Sequence, residues 1–274
     1  MQTAIIAVSD LHINSRVAIS PPRVHLDEGG EYRASKTQRA LWEAWLDFWD
    51  VIDKLKVDKK ILIINGDLGE LDVRRRTYAL ITPNKATIMT MILDTILPAI
   101  DRVDAVYIVR GTVAHTGKSA WLEEAIANDL DIAIHPNDGK KAASWYHVRR
   151  TCEGVRFDIA HHASMGRLPW TEKNAANKIA AVGRYRYLEM GQVPPDIMLR
   201  SHNHVYADSG GNYETLAICL PCWSTITEFG YRIGMENKLP DIGGTIFICS
   251  DGSYTHETIK YRAPMPRNLW AIKF

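Results

Sequence analysis

Five short runs of aliphatic and β-branched residues in this chain each end in an aspartate or a histidine. Residues 4–8, Ala-Ile-Ile-Ala-Val, lead into Ser9, Asp10, Leu11 and His12. Residues 61–64, Ile-Leu-Ile-Ile, lead into Asn65, Gly66 and Asp67. Residues 106–109, Val-Tyr-Ile-Val, lead into Arg110, Gly111, Thr112, Val113, Ala114 and His115. Residues 157–160, Phe-Asp-Ile-Ala, precede His161 and His162, and residues 197–200, Ile-Met-Leu-Arg, precede Ser201, His202, Asn203 and His204. Six of the ten histidines occupy these positions, so the pattern is not a by-product of a histidine-rich composition.

The runs read as buried strands, expected at 4–8, 60–64, 105–109, 155–160 and 196–199. Helical spacing fills the intervals. Residues 36–56 place Leu41, Trp42, Trp45, Leu46, Trp49 and Ile52 at helical spacing, with the stripe Trp42, Trp45 and Trp49 read as core packing and a dimer face as the alternative. Further helices are expected at 85–100, at 119–130 with Ser119 as N-cap, and at 171–191, where Gly191 and Pro194-Pro195 stop the chain. Beyond residue 204 the pattern is mostly strand, with turns expected at Gly210-Gly211, Gly243-Gly244 and Asp251-Gly252. Alternating strands and helices define an α/β chain, read as one domain over 1–274 with a long loop insertion at about 14–35.

Composition removes several classes. At 274 residues, 46% hydrophobic and 24% charged, the chain is neither disordered, collagenous nor a coiled coil. Lys plus Arg number 33 and Asp plus Glu 32, too even for a protein that coats nucleic acid. No run of 18 apolar residues indicates a membrane span, and the apolar start is too short for a signal peptide. Cys152, Cys219, Cys222 and Cys249 are too few for a disulfide scaffold, so a reducing cytoplasm is expected. The Cys219-Leu-Pro-Cys222 spacing, without a second pair, reads as structural.

Ligand crevices of α/β sheets form at the C-terminal strand ends. Five such ends would gather two carboxylates and several imidazoles in one place. Packed together without a counter-charge, these groups would be unsatisfied. A divalent cation resolves this. Asp-x-His and His-x-His at strand ends are expected to present both side chains on one face. Mixed imidazole and carboxylate donors suit Mn, Fe, Zn, Co or Ni better than Mg or Ca. There are too many donors for one ion, so two ions sharing a carboxylate are expected, with Mn favoured.

The ordered set Asp10-x-His12, Gly66-Asp67, Gly111 with His115, His161, and His202-x-His204 resembles the calcineurin-like metallophosphoesterase superfamily over residues 4–206. That resemblance implies a four-layer αββα sandwich with a dinuclear site at the strand ends. By position it implies that Asp10, His12, Asp67 and His204 hold one ion. Asp67 would bridge to a second ion held also by His161 and His202. Family members carry Asn as a further ligand, followed by a histidine that assists the leaving group. Here Thr112 stands at the Asn position, supplying a hydroxyl or yielding its place to water. His115, the expected catalytic acid, comes two residues late. Ser201 and His162 replace glycines of the family pattern.

The implied activity is metal-dependent phosphoester hydrolysis by an activated hydroxide. Phosphodiesters are the favoured substrates, with a nuclease as one case and nucleic acid as a partner in that case. The arginine-bearing loop (Arg16, Arg23, Arg33) and the Arg184-Tyr185-Arg186-Tyr187 stretch motivate that preference. Arg74, in the run Arg74-Arg75-Arg76, and Arg16 are candidate phosphate contacts, with His162 beside them. A phosphomonoesterase or protein phosphatase is the alternative within the class, and a noncatalytic scaffold the alternative outside it. No membrane partner is expected, and the sequence leaves the oligomeric state open.

Overall fold

The first strand, β1 (Thr3–Val8), is buried at every residue. It lies between two apolar cores, which explains a run without polar alternation. Ala4, Ile6 and Val8 belong to one core, and Ile5 and Ala7 to the other. The computed structural model describes residues 1–73, 77–134, 142–163, 171, 173–227 and 239–263.

The chain continues through β2 (Arg23–His25), β3 (Glu31–Arg33), α1 (Lys36–Asp53), β4 (Lys59–Asn65), α2 (Lys85–Ile100) and β5 (Ala105–Val109). Next come α3 (Val113–Thr116), α4 (Trp121–Asp129), β6 (Ser144–Trp145), β7 (His147–Cys152) and β8 (Val155–Ala160). Then follow α5 (Asn174–Glu189), β9 (Ile197–Arg200), β10 (Ala207–Asp208), β11 (Leu216–Cys219), β12 (Ile242–Ser250) and β13 (Ser253–Tyr261).

Six strands form one sheet in the order β13-β12-β1-β4-β5-β6, and five form a second in the order β10-β11-β9-β8-β7. In the first, β1, β4, β5 and β6 are parallel; in the second, β8, β9 and β11 are parallel. Ile5, Ile63, Val109 and Phe247 of the first sheet meet Val148, Phe157, Ile159, Leu199 and Ile218 of the second in a shared core. Outside the first sheet, α1, α2 and α4 bury Trp45, Phe48, Trp49, Ile88, Met91, Ile92, Leu122 and Ile126. Outside the second, α5 lays Ala175, Ala176 and Ala180 against Ala207, Ala217 and Met198. The layers are therefore helix, sheet, sheet, helix, the αββα sandwich expected from the sequence.

Local chemistry explains most boundaries. Ser35 and Gln38 form a reciprocal capping box at the start of α1. Asn84 accepts the Thr87 N–H at the start of α2. Trp45 and Trp49 are fully buried and Trp42 is half-buried against the same core, in keeping with the core reading of the tryptophan stripe. Gly191, at φ +63°, follows the end of α5. Asp251-Gly252 turns β12 into β13 with both residues at positive φ.

Three expectations need correction. Segment 14–35 is not wholly loop, because β2 and β3 pair as a short ribbon with Val24 opposite Tyr32. Ser119 does not cap α4: it is itself left-handed at φ +57°, and Ala120, at the cap position, makes no capping bond. Gly243-Gly244 is not a turn but lies inside β12. There a Cβ on Gly243 would stand 2.0 Å from Ile259 O, and one on Gly244 2.7 Å from Phe48 Cζ. Close packing, not chain reversal, demands the pair. Among the described residues no helix is long and apolar enough to cross a membrane.

Candidate metal centre

The C-terminal ends of β1, β4, β5, β8 and β9 converge, and backbone bonds hold them together beyond the strands. Asp10 N donates to Gly66 O at 3.1 Å, His12 N to Asp67 O at 2.9 Å, and Ser201 N to His161 O at 2.7 Å. Asn65 Nδ2 donates to Ala160 O at 3.1 Å and to Ser201 Oγ at 2.6 Å, joining the ends of β4, β8 and β9.

The side chains do not reach the centre by strand alternation, which corrects the expectation for Asp-x-His and His-x-His. The strands have already ended. Asp10, His12, Asp67, His202 and His204 all have left-handed backbone, with φ of +50°, +45°, +50°, +75° and +58°. Such conformations are uncommon for residues with a Cβ and mark imposed geometry. Gly66, at φ +83°, has a second constraint: a Cβ there would lie 2.4 Å from His161 Nδ1.

Three imidazole nitrogens surround Asp10 Oδ1. His204 Nε2 lies 3.3 Å away, His12 Nε2 3.8 Å and His161 Nε2 3.9 Å. That oxygen is buried and accepts no hydrogen bond, while Oδ2 accepts the His202 N–H at 3.1 Å. His12 Nε2 and His204 Nε2 are 3.1 Å apart. Metal–imidazole bonds of about 2.0–2.1 Å in tetrahedral geometry bring two nitrogens to roughly 3.3 Å, so the spacing suits one shared ion. Asp67 sits between this group and the next, with Oδ2 3.0 Å from His161 Nε2 and 3.9 Å from His202 Nδ1. Four overlapping sets of donor atoms each lie within 4.8 Å: Asp10, His12 and His204; Asp10, Asp67 and His161; His12, Asp67 and His115; His161, His162 and His202. The donor chemistry fits two divalent ions.

Outer partners fix the histidine tautomers. His161 Nδ1 lies 2.7 Å from the Asn65 carbonyl, which can only accept, so Nδ1 carries the proton and Nε2 faces Asp67. Glu70 acts similarly on His12, whose Nδ1 is 3.0 Å from Glu70 Oε2. The same carboxylate contacts His115 Nδ1 at 2.8 Å, and the rings of His12 and His115 are 4.7 Å apart.

Electrostatics show how strongly the centre calls for positive charge. Burial pushes the Asp10 and Asp67 carboxyls up, but the histidines around them, His161 foremost, hold both below the usual carboxylate range. Burial alone would depress His161, yet Asp10 and Asp67 carry it up to about 9. Glu70 is also pushed up by burial, and its bonds with His115 and His12 bring it down to about 2. Either protons on imidazoles or bound cations can answer this demand.

Two site residues escaped sequence reasoning. Glu70 follows Asp67 on the same loop, where an acid reads as ordinary surface. Glu123, at the start of α4, is fully buried, and its Oε1 accepts the N–H groups of Asp67 and Gly111, both at 3.0 Å. Burial, with the charge of Asp67 added, pushes Glu123 up to about 8. Only tertiary placement reveals either role.

Asp10, His12, Asp67, Thr112, His115, His161, His162, His202 and His204 are thus brought together. Thr112 N donates to Asp67 Oδ1, and its hydroxyl is 3.2 Å from His202 Nδ1. His162 and His202 are exposed at the rim, with rings 5.0 Å apart. Arg16 is exposed and its Nε donates to Leu80 O at 2.8 Å. Arg74 lies outside the described residues. Several of the other groups read as substrate contacts have partners within the chain, and Tyr185 is exposed. Arg23 and Arg33 pair with Glu31, Arg184 with Glu214, and Tyr187 donates to Asp158 on the outer side of the second sheet. Cys219 and Cys222 are buried free thiols, and Cys222 Sγ donates to Ser224 O at 3.2 Å, in keeping with a structural role.

The sandwich and the donor cluster at its strand ends have the layout that the sequence resemblance to the metallophosphoesterase class implies. No protein-family model matches the chain, and no curated protein does. Among solved structures it is similar to a predicted phosphoesterase from Streptococcus pneumoniae, at 11% identity over 95% of this chain and 90% of that one, with a TM-score of 0.38. It is also similar to zinc-complexed Vps29 from Entamoeba histolytica, at 12% identity over 94% and 98% of the two chains, with a TM-score of 0.41. A dimetal phosphatase from Danio rerio aligns at 11% identity over 95% and 99%, with a TM-score of 0.36. Likenesses this distant say nothing of activity, which rests on the chain's own residues.

Proposed function

We propose that this chain is a dinuclear metal-dependent phosphoester hydrolase whose substrates are phosphodiesters. The observation that carries the hydrolase reading is Asp10 Oδ1, a buried carboxylate oxygen without a hydrogen bond and ringed by three imidazole Nε2 atoms. With neutral imidazoles presenting Nε2 lone pairs to it, that oxygen stays unsatisfied at a cost of about 1–3 kcal/mol, and a bound cation removes the cost.

Asp10, His12, Asp67 and His204 would hold one cation, and Asp67, His161 and His202 the other. Bound there, such a pair supplies a nucleophile at neutral pH and neutralises phosphoryl charge. Glu70 and the Asn65 carbonyl keep His12 and His161 in the tautomers that present Nε2. Glu123 steadies the turns bearing Asp67 and Gly111 by accepting both N–H groups. His115, held through Nδ1 by Glu70, would pass a proton from Nε2 to the departing oxygen.

The diester preference has narrower support than the hydrolase reading. It rests on Arg16, exposed on the loop that follows His12 and anchored there by its Nε donating to Leu80 O. One domain spanning 1–274 would carry the reaction, and four free cysteines support a cytoplasmic setting. Nucleic acid remains a substrate class within the diester reading. The test compares bis-p-nitrophenyl phosphate with p-nitrophenyl phosphate in the presence of Mn. Faster diester cleavage is expected. Faster monoester cleavage would overturn the diester assignment and keep the metal chemistry.

A further inference from the structure

The second ion's position has a gap in its ligand set and an unassigned imidazole beside it. Thr112 replaces the amide ligand of the family pattern, and its hydroxyl is turned onto His202 Nδ1 at 3.2 Å. Beside the same His202 stands His162, where the pattern has glycine and so no donor. Its ring is 5.1 Å from that of His161 and 5.0 Å from that of His202, while those two are 5.3 Å apart. The three rings form a near-equilateral triangle, and one nitrogen from each lies within 4.8 Å of the other two. Structural histidines pack on apolar neighbours or bond to carbonyls and carboxylates. Three imidazoles that converge on one another are what a metal ion arranges.

We infer that His162 is a ligand of the second metal ion, supplying the donor that Thr112 does not. This rests on the dinuclear reading above and revises the substrate-contact role expected for His162. The second position then draws on His161, His162, His202 and the shared Asp67. Three imidazoles and one carboxylate make it softer and richer in nitrogen than the first, which draws on two imidazoles and two carboxylates. Zn, Co and Ni are accordingly favoured at the second position over Mn, which prefers oxygen donors. The two positions thus differ in metal preference, and the chain is built for a mixed pair.

Metal-free full-length protein titrated with Co(II), followed by calorimetry and visible absorption, tests this without reference to activity. Wild type is expected to bind two ions. His162→Ala should keep the first with unchanged affinity and weaken the second at least about 100-fold, more than losing an outer partner costs. The absorption of the second equivalent should change with it. Retention of the first ion shows that the variant is folded. In His162→Ala/Thr112→Asn, an amide restored at position 112 should recover binding of the second ion. Two ions bound by His162→Ala with wild-type affinity and spectrum would overturn the assignment and leave the dinuclear reading intact. A single ion in wild type would overturn it too. No ion in wild type would sink both.

Discussion

Two histidines of the candidate centre are held by something other than their own strands. His12 and His161 present Nε2 because Glu70 and the Asn65 carbonyl bind their other nitrogens. Glu70 serves His12 and His115 together. Glu70→Gln keeps the shape but removes the charge and one acceptor. It should weaken binding of the first ion by about 10–100-fold, measured by equilibrium dialysis of metal-free protein. Unchanged affinity would show that the tautomer of His12 does not depend on Glu70. The sequence exposed the ligands because aspartates and histidines recur after buried runs. It hid Glu70 and Glu123, which belong to no motif and are brought to the site only by tertiary packing. It also hid the left-handed backbone at Asp10, His12, Asp67, His202 and His204: Asp and His are enriched at φ > 0, but nothing local says which of them adopt it.

At the scale of elements, strands were legible where both faces are buried. Residues 105–109 and 155–160 match β5 and β8 at both ends. β9 starts one residue later than expected because Asp196 is occupied, accepting from Arg156 N and its guanidinium. Gly243-Gly244 misled because paired glycines signal a turn on local grounds, while here Ile259 and Phe48 leave no room for a Cβ. The outer face of the second sheet carries a polar knot that sequence patterning did not foretell. Asp158, 2% exposed, bonds Arg200 Nη2 at 2.7 Å, meets His147 Nε2 at 2.8 Å and accepts from Tyr187. Burial pushes its carboxyl up, and contacts with His147 and Arg200 outweigh that, holding it well below the usual carboxylate range. A depressed folded-state pKa contributes stability above the unfolded value and loses it as pH falls through the folded one. Urea unfolding should therefore show wild type losing stability below about pH 4. Asp158→Asn should be destabilised by about 3 kcal/mol at pH 7 and show a flatter acid limb. Equal acid limbs in the two proteins would contradict this account of Asp158.

For the whole molecule, the two sheets matter because neither alone completes the centre. The first supplies Asp10, His12, Asp67 and Thr112, and the second supplies His161, His162, His202 and His204. The shared core of Ile5, Ile63, Phe157 and Leu199 keeps these groups in register at one end of the sandwich. Alternating strand and helix patterns made the α/β class legible. The assignment of strands to two sheets came from the family resemblance, because local patterns do not say which strands pair. The central claim is that the converged donors are a working dinuclear centre. Its most direct test is hydrolysis of bis-p-nitrophenyl phosphate by protein stripped with a chelator and titrated with Mn or Co. The account predicts no turnover without metal and a rise that levels off at two equivalents per chain. Turnover that survives stripping, or none at any metal loading, would contradict it.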